Sequence, residues 1–143
     1  MRRIALVLAG VLAGPPLLVA GPSLDWMLHC RGCHGAAGAG VPGSVPRLAG
    51  EVARFLDVPG GREFLIRVPG VAQSELDDAR LAVLLTWMVR RFGPAASAAA
   101  APPFGAAEVG ALRRRPLTRV GPVRAALIEA LEGRTAGRPV AEH

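Results

Sequence analysis

The residues best suited to chemistry lie together at Cys30, Cys33 and His34. The chain has two cysteines and three histidines, and this segment holds both thiols and, directly after the second, an imidazole. Residues three apart in sequence project from one face of a helical turn, so the two sulfur atoms point in the same direction. A thiolate is a nucleophile and a metal ligand, and an imidazole is the commonest metal ligand in proteins. The segment therefore brings two bond-forming sulfurs and one metal-binding nitrogen to a single turn.

Three chemistries compete for this turn. The pattern C-x-x-C-H is the attachment sequence of c-type haem, in which the two thiols add to the two vinyl groups of the haem and the histidine ligates the iron. A dithiol redox pair usually belongs to a βαβ unit, and nothing before Cys30 has the pattern of a strand. Zinc needs further ligands at finger-like spacing, which His29 and His143 do not provide. The motif favours one covalently attached haem c.

With Gly35 the motif becomes C-x-x-C-H-G, and here the chain resembles the c-type cytochromes, in particular the small monohaem class I-like domain. The resemblance covers about Leu24 to Phe92. It implies an electron carrier rather than a catalyst, with Cys30 and Cys33 bound to haem and His34 as both haem-binding residue and iron ligand.

The segment from Val45 to Gly50 is similar to the family segment that passes under the proximal histidine. This similarity implies that the carbonyl of Pro46 accepts the other ring N–H of His34, which would make Pro46 part of the haem-binding site. Such an acceptor fixes the tautomer and orientation of a ligating histidine. A simple turn proline is the alternative.

The sixth iron ligand stays open. Many members of the family hold a methionine in the loop before the last helix, but residues 68–73 contain neither methionine nor histidine. The candidates are Met88, Gln73, a water molecule or no ligand. Because an open iron can bind peroxide, oxygen or nitric oxide, a peroxidase-like or gas-binding haem protein is one alternative function. A thiol-disulfide oxidoreductase that uses Cys30 and Cys33 is a second.

The N-terminus predicts export. Met1-Arg2-Arg3 is followed by an apolar run from Ile4 to Ala20 and by small residues, which is typical of a signal peptide over residues 1–21. The alternative is an uncleaved membrane anchor, although Pro15-Pro16 would interrupt its helix. The resemblance implies that haem is attached outside the bacterial cytoplasm. We therefore expect a periplasmic protein, attached to the membrane only if the segment is uncleaved.

The rest of the pattern predicts an all-α haem domain over residues 22–93, built from short helices and loops rich in glycine and proline. The expected helices are Leu24–Cys33 with Ser23 as its cap, Glu51–Leu56, Arg62–Val68, and Glu75–Phe92 with a capping box that begins at Ser74. Trp26 and Trp87 are expected to pack in the core, although Trp87 occupies a place where family members often carry an aromatic residue that faces the haem edge.

The C-terminal part lies outside the resemblance. Residues 94–103 have the composition of an alanine and proline linker. The pattern of residues 104–143 predicts a basic tail with two helices, Ala106–Arg115 and Val120–Glu132. The second helix has an apolar stripe. Arg113, Arg114 and Arg115 are expected to form a solvated face or to contact an acidic surface.

The charge indicates the kind of partner. The formal net charge is +6, every basic residue is arginine, and without Arg2 and Arg3 the count is 15 arginines against 11 acidic residues, or about +4. A basic face suits docking on an acidic redox partner, such as a dehydrogenase or a terminal oxidase by family analogy. No nucleic-acid-binding motif is present and the compartment is wrong for that ligand, so we expect no nucleic-acid partner.

Overall fold

The computed structural model describes residues 21–136. Within this range the chain forms α-helices and one 3₁₀ helix, with no β-strand beyond an isolated bridge between Val41 and Val45. The helices are Pro22–His29 (α1), Arg31–His34 (α2), the 3₁₀ helix Val52–Asp57, Gly61–Arg67 (α3), Pro69–Ala72 (α4), Asp78–Phe92 (α5), Ala95–Ala100 (α6), Ala106–Arg113 (α7) and Val120–Ala136 (α8). The prediction of an all-α fold is confirmed. The predicted signal peptide lies outside the described residues except for Gly21.

Helix α1 packs against α5 although it is only eight residues long. Asp25 is buried and accepts a hydrogen bond from the guanidinium of Arg80 at 2.5 Å, and the ring centroids of Trp26 and Phe92 lie 4.6 Å apart. The predicted cap was wrong: the helix begins after Gly21, with no side-chain cap. Pro22 explains the earlier start, because a proline in the first turn needs no partner for a backbone N–H.

Helix α5 begins three residues later than the capping box at Ser74 predicts. Its cap is Asp77, whose carboxylate accepts the backbone N–H of Arg80 at 2.8 Å. Ser74 instead accepts the backbone N–H of Leu76 within the preceding loop. The buried face of α5 forms the centre of the core: Leu81, Ala82, Leu84, Leu85, Met88, Val89 and Phe92.

The C-terminal part packs into the same core. The segment 94–103, where the composition predicts a linker, contains helix α6, because alanine has the highest helix propensity of all residues. Helix α7 packs against α5, α3 and α4, and α8 packs against the 3₁₀ helix and α3. Phe104 and Val109 are buried at 6% and 0% exposure. Of the predicted stripe on α8, Leu127 and Leu131 are buried, while Val123 is exposed.

Three arginines fasten this C-terminal part to the rest of the molecule. Arg62 pairs with Glu108 at 2.6 Å and also donates to the carbonyls of Pro102 and Pro103. Arg67 donates to the carbonyl of Arg115, and its own carbonyl accepts the N–H of Leu117. Arg113 donates to backbone carbonyls and one carboxylate before and at the start of α5: Ala72, Ser74, Leu76 and Asp78.

The side chain of Arg113 is only 15% exposed, so the expectation of a solvated face was wrong for this residue. Its guanidinium has five donors in a rigid fork and can bind several carbonyls at once. A run of three arginines does not show which of them turns inward.

None of the helices within residues 21–136 is long and apolar enough to cross a membrane.

Candidate functional site

The turn that carries Cys30, Cys33 and His34 is a break between two helices. Helix α1 ends at His29, Cys30 leaves helical geometry with φ −128° and ψ −40°, and α2 continues to His34. The carbonyl of Cys30 accepts the backbone N–H groups of Cys33 and His34 at 3.3 and 3.1 Å. Cys30 is half-buried and Cys33 is exposed, and both thiols are free. The turn therefore presents both sulfurs unpaired.

The imidazole of His34 lies against the loop that follows it. Its Nδ1 is 3.0 Å from the carbonyl oxygen of Pro46, so Nδ1 is the protonated nitrogen that donates and Nε2 keeps its lone pair. This is the tautomer that a metal bound at Nε2 requires. The ring of Trp26 lies 6.3 Å from that of His34, centroid to centroid. The contact between His34 and Pro46 is the one that the family resemblance implies.

Gly40 allows this loop to return to His34. Its φ is +67°, and a Cβ at this position would collide with the carbonyl oxygen of Val45 and lie 2.7 Å from that of Pro46. Its backbone N–H donates to the carbonyl of His34 at 2.9 Å. Only glycine combines that φ with that approach. The sequence shows a glycine-rich loop here but not which glycine touches the histidine segment.

Beside this turn lies a cavity of about 300 Å³. Cys30, Cys33, His34 and Pro46 all line it, so the structure brings the four predicted site residues together. Most of its wall is apolar and comes from the 3₁₀ helix, α3, α4, α5 and the loop before them: Leu48, Val52, Phe55, Phe64, Leu65, Val68, Val71, Leu85 and Val89. Two thiols and an imidazole at the edge of an apolar cavity match the chemistry of haem, whose macrocycle is apolar and whose iron takes an axial histidine.

The candidates for a sixth ligand have different positions. Met88 lines the cavity and is 6% exposed, whereas Gln73 is exposed and does not line it. The cavity wall contributed by residues 68–71 holds only Val68, Gly70 and Val71. Trp87, which the resemblance placed near the haem edge, is not among the lining residues. It packs beside Trp26 with ring centroids 6.2 Å apart.

The lining residues that sequence reasoning did not assign to the site include four with polar or distant positions: His29, Arg47, Val120 and Arg124. His29 and Arg47 are sequence neighbours of predicted residues, and that adjacency could have identified them. Val120 and Arg124 lie on α8, about ninety residues further along the chain, and no local sequence signal relates them to Cys30.

Electrostatics disfavour a dithiol redox pair. Burial raises the pKa of the Cys30 thiol to about 11, and the nearby charges of Asp25 and Cys33 act in the same direction. Reactive C-x-x-C pairs work by lowering a thiol pKa, which is the opposite arrangement.

Within residues 21–136 no three histidine, cysteine or acidic side chains cluster as a metal site, so the four-ligand arrangement of structural zinc is absent there.

Comparison with known proteins gives two similar relatives. Cytochrome c-552 of Thermus thermophilus is 37% identical over 108 aligned residues, which cover 63% of this chain and 82% of that protein. A cytochrome c-552 from a named strain of the same species is also 37% identical over 108 residues and is covered to 73%. No protein-family model matches the chain.

Proposed function

We propose that this chain, which belongs to the c-type cytochromes and carries covalently bound haem c, transfers single electrons between redox proteins outside the cytoplasm. One observation supports this most directly. Both thiols of the C-x-x-C-H motif and a histidine whose Nδ1 is held by the carbonyl of Pro46 line one apolar cavity.

Each site residue has a role in this proposal. Cys30 and Cys33 form thioether bonds to one haem, and His34 ligates the iron through Nε2. The carbonyl of Pro46 holds the Nδ1 proton of His34 and so fixes the ring orientation. Bound haem supplies a one-electron redox centre. The apolar wall excludes water, and burial of this kind is one of the means by which a protein sets the potential of a haem.

We propose an acidic redox partner and a periplasmic location. The excess of arginine over acidic residues supports the first, because complementary charge accelerates encounter. The basic and apolar N-terminal sequence supports the second. A dehydrogenase that donates electrons and a terminal oxidase that accepts them are the partner classes by family analogy.

The first test is a visible spectrum of the protein produced in a host that matures c-type cytochromes. We expect haem absorbance that survives denaturation and acid extraction, and a mass that includes one haem. The double variant Cys30→Ser/Cys33→Ser is expected to lose the covalent haem. Among the histidines, His34→Gln is expected to change the spectrum, while His29→Gln, which also lines the cavity, is expected to leave it unchanged. A colourless wild-type protein would contradict the proposal.

A second candidate function is a haem protein with an open iron site. It is favoured by the cavity wall at residues 68–71, which contains no side chain able to ligate iron. Adding carbon monoxide to the reduced protein separates the two functions. Rapid, stoichiometric uptake would indicate an open position and a peroxidase-like or gas-binding protein. No uptake by the wild type, together with uptake by Met88→Leu, would identify Met88 as the sixth ligand of an electron carrier.

A further inference from the structure

Helix α8 contributes to the cavity that the haem-attachment turn opens into. Val120 and Arg124 are both lining residues. They are four residues apart and therefore lie one above the other on the same face of the helix. The helix is held in place by packing against the 3₁₀ helix and α3, where Leu127 and Leu131 are buried. Two residues of the C-terminal part of the chain are thus placed to contact a group bound in the cavity.

The charges that line this cavity are unbalanced. Arg47 and Arg124 are lining residues, whereas no aspartate or glutamate within residues 21–136 is. Arg47 uses its Nε to donate to the carbonyl of Ala49 at 2.8 Å. The side chain of Arg124 is half-buried and makes no hydrogen bond or ion pair with any residue from 21 to 136.

Other partly buried arginines of the fold are used differently. Arg62, Arg67 and Arg113 each pair with a carboxylate and also donate to backbone carbonyls. Arg124, a half-buried arginine that lines an apolar cavity and has no partner among residues 21–136, lacks the compensation that these three have. An anionic group inside the cavity would supply it.

We propose that Arg124 binds a carboxylate of the haem and thereby raises the reduction potential of the iron. The inference rests on the proposed haem site. Haem carries two propionate carboxylates, and a guanidinium matches a carboxylate with two parallel hydrogen bonds. A fixed positive charge beside the haem disfavours the oxidised iron, which is one charge more positive than the reduced iron. Arg124 therefore links the C-terminal helix to the redox centre.

The expected size follows from Coulomb's law. At about 10 Å and an effective dielectric constant of about 40, one charge contributes about 0.8 kcal/mol, which is about a fourfold change in the equilibrium between oxidised and reduced iron. A tenfold change corresponds to 59 mV for one electron. Removal of the charge is therefore expected to lower the potential by about 35 mV.

The experiment is a redox titration of the matured haem protein as wild type, Arg124→Gln, Arg124→Lys and Arg119→Gln. Arg119 is exposed, directly precedes α8 and does not line the cavity, so its variant removes the same charge from a nearby position. We expect a three- to tenfold shift toward the oxidised form in Arg124→Gln, recovery of most of the shift in Arg124→Lys, and little change in Arg119→Gln. A role in packing alone would not be rescued by lysine.

Equal potentials in Arg124→Gln and the wild type would overturn the inference, and so would equal shifts in Arg124→Gln and Arg119→Gln. If Arg124→Gln does not fold, Arg124→Leu keeps an apolar stem at this position and is read by the same criteria. Absence of haem from the wild-type protein would instead refute the proposed haem site. That result is distinct from a haem-loaded protein whose potential does not depend on Arg124.

Discussion

Gly40 and Gly43 show how single residues of the loop after His34 differ in importance. Both have positive φ, +67° and +76°. A Cβ on Gly40 would collide with the carbonyls of Val45 and Pro46, whereas a Cβ on Gly43 would meet nothing within 4 Å. Alanine at Gly43 would therefore measure only the free-energy cost of left-handed backbone, whereas alanine at Gly40 would add the cost of displacing the Pro46 carbonyl that accepts from His34.

We predict that Gly40→Ala destabilises the haem protein more than Gly43→Ala does. Both variants pay about 1–2 kcal/mol for the left-handed backbone, and Gly40→Ala adds about 1–3 kcal/mol for the collision. Its potential should also rise, because a weaker hydrogen bond from Nδ1 would make His34, the proposed iron ligand, a poorer donor to oxidised iron. Denaturant melts and redox titrations of both variants test this. Equal destabilisation of the two would contradict it.

Among the elements, the contact between α7 and the loop before α5 depends on Arg113. The guanidinium of Arg113 supplies donors to two backbone carbonyls of the loop before α5, those of Ser74 and Leu76. Because buried carbonyls without partners are costly, this one side chain stabilises the conformation of the loop, while the cap Asp77 sets the start of α5.

We expect Arg113→Ala to lower the free energy of unfolding by about 3 kcal/mol, since it leaves several carbonyls and the carboxylate of Asp78 without a donor. The matched control is Arg114→Ala, which removes the same charge from an exposed neighbour and should change stability by less than about 0.5 kcal/mol. Urea denaturation of the two haem-loaded variants measures the difference. Similar urea midpoints for Arg113→Ala and Arg114→Ala would show that the contacts of Arg113 do not stabilise the fold.

The pair between Arg62 and Glu108 joins α3 to α7 and gives a pH-dependent contribution. The hydrogen bond from Arg62 holds the pKa of Glu108 below its usual range, against the opposing effect of burial, and the backbone N–H of Gly105 adds to the lowering. A carboxyl group whose pKa is lowered by folding stabilises the protein above its unfolded pKa of about 4.3. This contribution is lost as the pH falls through the folded value.

Glu108→Gln should therefore lower the melting temperature near neutral pH, by an amount that corresponds to about 0.5–1 kcal/mol. The difference from wild type should shrink below about pH 4, where the wild-type carboxyl group becomes protonated as well. Glu75→Gln, at an exposed position, serves as the control and should show little effect at either pH. A difference for Glu108→Gln that does not depend on pH would rule out the charge as its cause.

At the scale of the whole molecule, the C-terminal part shares one hydrophobic core with the predicted haem domain. Phe104, Val109, Leu127 and Leu131 belong to the same core cluster as α5. Burial of one such side chain contributes about 1.5–3 kcal/mol. Four of them together amount to about 6–12 kcal/mol, which is comparable to the whole stability of a typical domain.

A chain that ends after Pro103 is therefore expected to attach haem, because the motif is intact, but to melt at least about 20 °C below the full chain. Thermal unfolding followed at the haem absorbance and by circular dichroism measures this. A truncated protein that melts within a few degrees of the full chain would show that residues 104–136 are an appendage.

The same reasoning predicts that covalent haem stabilises the fold. The cavity beside Cys30 and Cys33 has a volume of about 300 Å³ and an apolar wall, and an empty apolar cavity loses both transfer energy and packing contacts. Circular dichroism of Cys30→Ser/Cys33→Ser should show loss of most helical signal. A compact, cooperatively melting double variant would contradict this expectation.

The amino-acid sequence by itself determined the helical class and the site chemistry. Both depend on short-range information: the spacing of Cys30, Cys33 and His34 fits one turn, and the apolar positions of α5 repeat at the helical period. The family was identified from the same motif, and the relatives agree. The starts of α1 and α5 were less well predicted. Helix α1 begins at Pro22, before the predicted cap Ser23, and α5 is capped by Asp77 and not by Ser74.

Only the tertiary structure decided what the C-terminal residues do. That α8 reaches the cavity, that Arg113 turns inward and that Arg124 does not pair within the described chain are consequences of contacts between segments far apart in sequence. Local periodicity specifies which face of a helix is apolar but not which surface will cover it. That choice depends on the shape and charge of the remaining core, which exist only once the other helices have packed.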